Sequence, residues 1–344
     1  MQDWVSTRDR ARLLESMRSE PPPQLLTEAS AEAGCPQYQT RLQAGDRATS
    51  ECENSGVRVT FCGLSRDKYP EMAKNSRFPE GLTGVSNSRK VWTWWTCLRV
   101  IAVFNVLAWA ITCLPFIDAA SDPGWHVALS GVFVAVCAFR SWLPRVDLER
   151  YCLVDSPLSS MFLGRSAATV AEICFAVQVA LCLHQVGVAA HVPWVVTISY
   201  FVVPPLVLAQ CFCWYSVLTL NHLGHAIEES LWTATMAVVG VSLAFAARHL
   251  GGNTFWCAAG GSVLALGFVA FMTLVDVPMY LSRWRQARRE QRAFLSVRDG
   301  VQDALSRRIA TQDWSVWRPE VAWLTGYFSV AVWLSVSLVH FARR

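Results

Sequence analysis

Residues 221–229 have the sequence Asn-His-Leu-Gly-His-Ala-Ile-Glu-Glu, which sets two histidines and two carboxylates between two long apolar runs. Ionisable groups inside a membrane are costly, and they generally face the interior of a helix bundle or an aqueous cavity. The flanking runs therefore indicate the class of protein, and the stretch between them is the first candidate for a functional site.

The composition indicates a membrane protein with a polar tail. The chain is 53% hydrophobic and only 16% charged, whereas a soluble domain carries about 25% charged residues. Charged residues are frequent over residues 1–90 and sparse over residues 91–280. The sequence therefore predicts a cytosolic, mostly disordered tail over residues 1–90 and an all-α, polytopic transmembrane helical bundle over residues 91–344.

Seven apolar runs approach the length of about 20 residues that a bilayer requires. We expect these spans at about 96–117, 126–142, 162–188, 192–220, 230–247, 254–281 and 321–341. The lipid bilayer is thus a predicted partner along most of the chain.

The basic residues predict the orientation of the bundle. Arginine and lysine precede the first span and recur in the loops after spans two and six, while the other loops contain few. With seven spans these basic segments share one side, which the positive-inside rule assigns to the cytosol. We expect a cytosolic N-terminus, an external C-terminus and no signal peptide, because charged residues precede any apolar run. The sequence does not indicate which membrane holds the protein.

The segment 283–319 combines an arginine cluster with an apolar stripe. We interpret it as a cytosolic amphipathic loop in which residues 283–310 form a helix on anionic lipids. A solvated helical loop is the alternative. The cluster directly follows an apolar span, so the positive-inside rule explains it better than a nucleic-acid interface does, and we expect no nucleic-acid partner.

Span four contains Pro204 and Pro205 near its middle. Two consecutive prolines remove two backbone donors and must bend or break a helix. A simple kink and a functional break are both compatible with this pattern.

Ionisable residues recur at helical spacing within the spans. Arg165 and Glu172 share one face of span three, and Asp276 and Arg283 share one face of span six. The predicted topology puts both pairs and the stretch 221–229 in the cytoplasmic half, where they would form one inward-facing polar site. We take its ligand- or ion-binding residues to be Arg165, Glu172, Asn221, Glu228, Asp276 and Arg283. The alternative is that buried ion pairs only fix helix packing.

A divalent metal is a further candidate ligand. His222, His225 and Glu229 share a helical face and offer imidazole and carboxylate donors. This spacing is common by chance, and the alternative is that the histidines lie at the lipid–water boundary with Asn221 capping a helix. The scattered cysteines are interpreted as small buried hydrophobes.

Three functions remain open. The proline break and the intramembrane acids favour a transporter- or channel-like protein for a small solute or ion. The histidine and glutamate cluster favours a membrane-embedded enzyme acting on a lipid or isoprenoid at the cytosolic leaflet, possibly with a metal. A membrane scaffold or assembly protein is the third. The chain contains no P-loop and no nucleophile elbow, so neither a catalytic residue nor an enzymatic activity is assigned.

Overall fold

The structure is a computed structural model that describes the backbone of residues 84–113 and 123–342 and the side chains of residues 88–113 and 124–341. Most of the predicted disordered tail lies outside the described residues. Residues 84–90 of that predicted tail are already helical and begin the first helix.

Helices make up nearly all of the described chain. Their bounds are Gly84–Cys113, Pro123–Trp142, Met161–Ala189, Pro193–Ser199, Val203–Thr219, His222–Ala247, Gly252–Phe271, Val277–Arg289, Val297–Ser306, Trp314–Gly326 and Val332–Ala342. A 3₁₀ turn covers Pro157–Ser159, and π-helical turns cover Met272–Asp276 and Tyr327–Ala331.

These helices form seven spans that are long and apolar enough to cross a membrane, as the sequence predicts. In order, spans one to seven are Ser88–Cys113, Gly124–Trp142, Met161–Ala189, Pro193–Thr219, His222–Ala247, Gly252–Arg289 and Trp314–Phe341. The chain is an integral membrane protein with a helical-bundle fold.

The boundary error that matters most for the site concerns span five. It begins at His222, whereas the apolar run predicted a start at 230 and left the polar stretch 221–229 before the span. That stretch instead opens span five, because the chain reverses at Leu220, which adopts a left-handed conformation with φ of 60°. The capping side chain of Asn221 starts a new helix that includes the polar residues.

Two apolar cores hold the spans together. One joins spans one, two, three and seven, and the other joins spans three to six. A neutral polar contact crosses the first core: Ser335 Oγ donates to Gln178 Oε1 at 2.6 Å and lies 3.1 Å from Ser130 Oγ. All three side chains are buried, so this serine–glutamine node links spans two, three and seven by hydrogen bonds. Such bonds between polar side chains commonly stabilise helix contacts in lipid.

Three spans contain irregular turns. Span four is interrupted at residues 200–202, and Pro204 and Pro205 lie in the first turn of the helix that follows. Backbone N–H groups in the first turn of a helix have no carbonyl partner within the helix, so the two prolines lose no helical hydrogen bond there. The helix is thus interrupted just before the two prolines, one of the two outcomes that the sequence leaves open. Spans six and seven add π-helical turns, which are frequent at functional sites.

One end of the bundle carries most of the arginines, and we call it the basic face. Spans one and seven both start there, since Trp92 Nε1 donates to Gln312 Oε1 at 3.1 Å. A small sheet covers this end, with β1 (Arg145–Val146) antiparallel to β2 (Tyr151–Cys152) and β2 parallel to β3 (Ile309–Ala310). The sequence analysis did not predict these strands.

The segment 290–313 packs onto the basic face. Residues 290–296 are not helical, so the structure contains two helices, Val277–Arg289 and Val297–Ser306, where one amphipathic helix was expected. Ser296 caps the second helix, and Asp303 on that helix accepts a bond from Arg150 Nε at 2.8 Å. Arg150 is fully buried and also donates to the Val217 carbonyl, so protein contacts determine where this helix lies.

Candidate functional site

Spans four and five approach each other closely at their shared end. Asn221 Oδ1 accepts a bond from the N–H of Leu223 at 3.1 Å and so caps span five, as the sequence suggests. A Cβ at Gly224 would lie 2.6 Å from the carbonyl oxygen of Phe212. Any side chain at position 224 would force the two helices apart, so glycine is what permits their contact.

Three potential metal ligands meet at this contact. Glu228 Oε2 lies 2.7 Å from Nδ1 of His225, one turn away on span five. Sγ of Cys213, from span four, lies 3.8 Å from the same nitrogen. The three donor atoms all lie within 4.8 Å of one another, and all three residues are buried. We call Cys213, His225 and Glu228 the triad.

The triad differs from the predicted metal set of His222, His225 and Glu229. Among the described residues, His222 and Glu229 do not join the compact donor group. The ring of His222 instead stacks at 6.3 Å from that of Tyr280. The three-residue spacing of His225 and Glu228 puts those side chains together on one turn, and Cys213 completes the set from the neighbouring helix.

Span six adds further polar groups beside the triad. The Tyr280 ring lies 5.0 Å from that of His225, and Asp276, one turn earlier, is buried at the end of the π-helical turn. Asp276 lies within electrostatic range of His225, Glu228 and Arg283, and Glu229 lies within range of Glu228 and Asp276. We call Glu228, Glu229 and Asp276 the acidic cluster.

A second group of polar side chains centres on Arg165 of span three. Arg165 Nη2 donates to Glu172 Oε2 at 2.7 Å and to Gln210 Oε1 at 2.8 Å. Gln210 Nε2 donates to the same Glu172 oxygen at 2.6 Å. Thr169 donates to Gln210 Oε1 and accepts from Trp214 Nε1. We call these five residues the arginine network.

The two groups are neighbours in the half of the bundle nearer the basic face. Glu172 is the twelfth residue of span three, roughly 16 Å along the helix from its start. Arg165 lies close enough to Glu228 for their opposite charges to interact, and Cys213 lies beside them. Tyr327, in the π-helical turn of span seven, lies 3.5 Å from Glu172 Oε1 through its hydroxyl. Side chains from spans three to seven therefore converge here.

The structure brings together four of the six predicted ligand-site residues: Arg165, Glu172, Glu228 and Asp276. Asn221 serves as the cap at the edge of the group. Arg283 was expected to offset Asp276, but its Nη1 lies 3.8 Å from Glu149 Oε1 at the partly exposed basic face. Its long side chain reaches a loop acid nearer water, which leaves Asp276 without it as an ion-pair partner.

A folded layer closes the basic face over this region. Arg145 Nη1 donates to the carbonyl of Ser160 at 2.8 Å, at the start of span three. Burial lowers the pKa of Arg145 to about 10 and raises the pKa of Cys152, which pairs with it in the sheet, to about 11. At neutral pH the layer thus contains a charged guanidinium and a neutral thiol.

Sequence reasoning missed several residues of the site, among them Gln210, Cys213 and Tyr327. Each lies in a long apolar run and, unlike Arg165 and Glu172, is not one of two charged residues at helical spacing. Cys213 was interpreted with the other cysteines as a buried hydrophobe, and only its distance from His225 distinguishes it.

Comparisons of the chain with protein-family models, with curated proteins and with solved structures give no match.

Proposed function

We propose that the protein is transporter- or channel-like and moves a small ion through the acidic cluster. The observation that carries this proposal is the excess of acidic groups at the contact of spans four, five and six. Within the described residues, Glu228 is hydrogen-bonded to His225, while no ion pair is formed by Glu229 or Asp276.

The charges favour a cation over a neutral or anionic solute. Among the described residues, the buried guanidinium of Arg165 lies beside the cluster but is already bonded to Glu172, and the partly exposed guanidinium of Arg283 lies 3.8 Å from Glu149. Three further carboxyl groups share the same region, and charges in a membrane interior are stabilised only by partners of opposite sign. A mobile cation supplies that partner.

The helix irregularities support a site that moves over one that only packs. Asp276 and Tyr327 both lie in π-helical turns, and span four is broken nearer its other end. Irregular backbone at membrane depth is kept where it is buried in protein or lines a passage, and broken helices recur at the binding sites of transporters. A scaffold has no need of three such turns.

The positive-inside rule supports a cytosolic basic face. Under that orientation the N-terminus is cytosolic, and the acidic cluster lies in the cytoplasmic half and exchanges its ion with the cytosol. The exposed arginines of residues 285–298 then face the anionic leaflet.

The test is ion flux in liposomes containing the purified full-length chain. Flux of H⁺, Na⁺, K⁺ and Zn²⁺ is followed separately with internal fluorescent indicators. We expect the wild type to move at least one of these ions, and Asp276→Asn to lower that flux by about 10-fold or more, since an isosteric amide removes the charge that attracts the cation.

The matched control is Gln178→Leu, which alters the serine–glutamine node in the other core and should leave the flux per folded protein unchanged. Wild-type liposomes that move all four ions no faster than empty liposomes would overturn the proposal. So would a folded Asp276→Asn variant with full flux.

A further inference from the structure

We propose that Cys213, His225 and Glu228 form a binding site for a divalent transition metal of the Zn²⁺ class. This inference deepens the proposed function and rests on it only in taking the metal as the ion that the acidic cluster attracts. It replaces the metal set expected from the sequence, because one ligand comes from a different span.

The donor chemistry selects this class of ion. A thiolate is a soft ligand, an imidazole nitrogen is intermediate and a carboxylate is hard, a mixture that suits Zn²⁺ and its neighbours. Alkali ions, Mg²⁺ and Ca²⁺ prefer oxygen ligands alone. Cys213 therefore distinguishes this site from a general cation site.

The distances fit a ligand set that is poised to close on an ion. A tetrahedral Zn²⁺ with ordinary bond lengths separates its sulfur and nitrogen ligands by about 3.5 Å and its nitrogen and oxygen ligands by about 3.3 Å. The corresponding distances here are 3.8 Å for Cys213 and His225 and 2.7 Å for His225 and Glu228. Shifts of about half an ångström bring these two pairs to the metal-bound distances, and the donor atoms of the third pair, Cys213 and Glu228, lie within 4.8 Å of each other.

The charge balance also favours the metal. On binding, the Cys213 thiol releases its proton, and His225 Nδ1 gives up the proton directed at Glu228 and becomes the ligand atom, with the ring protonated at Nε2 instead. The result is a thiolate, a neutral imidazole, a carboxylate and M²⁺, which sum to zero charge. A neutral complex is the least costly form in which to hold an ion in a membrane interior, and one proton is released per metal bound.

The triad supplies three ligands and leaves a fourth position free. Structural zinc sites are usually closed by four protein ligands, whereas sites that exchange or activate a ligand keep one position open. Asp276 and the Tyr280 ring border the triad from span six. This arrangement suits an ion that arrives and leaves.

The test is Co²⁺ binding to the full-length protein in detergent, followed by absorption spectroscopy. Co²⁺ gives visible bands whose intensity reports tetrahedral geometry and a near-ultraviolet band that reports a sulfur ligand. We expect both bands in the wild type, their displacement by Zn²⁺, and about one proton released per ion. Cys213→Ser should abolish the sulfur band. Glu228→Gln should weaken Co²⁺ affinity by about 10–100-fold or more, because loss of a residue that only hydrogen-bonds to a metal ligand already weakens metal binding by that factor.

Cys211→Ser is the matched control, because Cys211 is exposed and lies two residues from the buried Cys213. Its spectrum should equal that of the wild type. A wild type without a sulfur band, or a sulfur band that persists in folded Cys213→Ser, overturns the metal site. If H⁺, Na⁺ or K⁺ flux persists while Co²⁺ fails to bind, the metal inference falls and the proposed function stands. If Co²⁺ binds at the triad and no flux is detected, the metal inference stands and the proposed function falls.

Discussion

The arginine network and the acidic cluster are both largely shielded from water, lie in the same half of the bundle and contain glutamates, yet their chemistry differs. In the arginine network one guanidinium meets one carboxylate, and Gln210 bonds to both. In the acidic cluster the carboxyl groups lie together, and the described ion pairs include no arginine or lysine for them. The charges of the first group balance within the group, and under the proposed function the charges of the second are balanced by a bound cation. Burial of charge alone therefore does not identify a binding site; the sum of the charges does.

The largest effect that should separate the two groups is on stability. Arg165→Met leaves Glu172 as a buried carboxylate that keeps only neutral donors such as Gln210. Breaking a buried pair in this way costs about 3–5 kcal/mol. We expect a loss of that size in the free energy of unfolding, measured by chemical denaturation in mixed detergent micelles.

The matched change in the acidic cluster is Glu228→Gln. It removes one of several neighbouring negative charges and keeps the shape of the side chain, so stability should remain within about 1 kcal/mol of the wild type while Co²⁺ binding falls. Equal destabilisation by the two variants would show that both groups serve packing and would erase the distinction drawn above.

Local patterns predicted one of these groups better than the other. Arg165 and Glu172 lie seven residues apart on one helix, so helical periodicity alone predicts their pairing, and the structure joins them at 2.7 Å. The triad needs Cys213 and His225 from two antiparallel spans, and its position depends on the turn at Leu220. Because the apolar run predicted that span five begins at 230, the stretch 221–229 was expected to lie before that helix. The packing of His225 on span five against Cys213 on span four was therefore not predicted.

The same reasoning explains what was predicted of the fold. The number of spans could be predicted from runs of apolar residues, because each helix in contact with lipid must be apolar along its own length, whatever its neighbours are. The sheet at the basic face depends on pairing between β2 and β3, more than 150 residues apart in the chain, and strands of two residues leave no periodic pattern. Arg150 looks like any loop arginine in the sequence, and only the fold reveals that it is buried against Asp303.

A medium effect should come from the helix contact that assembles the triad. Gly224→Ala places a methyl group 2.6 Å from the Phe212 carbonyl, and overpacking of this kind costs about 1–3 kcal/mol. The spans must separate at the triad, so Co²⁺ affinity should fall as well, whereas the bond between Arg165 and Glu172, both on span three, should persist. Unfolding free energy and Co²⁺ titration measure the two effects.

Gly260→Ala is the control for that substitution. Gly260 lies within span six, and a Cβ there meets nothing within 4 Å among the described residues. Its replacement should be neutral or stabilising by up to about 1 kcal/mol, the difference in helix propensity. If Gly224→Ala behaves like Gly260→Ala, the close contact of spans four and five does not constrain the triad.

The smallest effect concerns arginines at the surface, where the same residue type as Arg165 has a different role. Arg285, Arg288 and Arg289 are exposed on the last turns of span six, and each basic residue near an anionic leaflet contributes about 1 kcal/mol. Replacing all three by glutamine should lower retention of phosphatidylserine during purification by several-fold and leave unfolding free energy unchanged, because no buried partner is lost. Arg248→Gln, at the opposite end of the bundle, is the control and should retain the lipid as the wild type does. Equal retention of phosphatidylserine by the triple variant and the wild type would mean that these arginines contact water and not anionic lipid, as in the solvated-loop alternative. The predicted contact with anionic lipid would then be wrong, while the contrast between the arginine network and the acidic cluster would be unaffected.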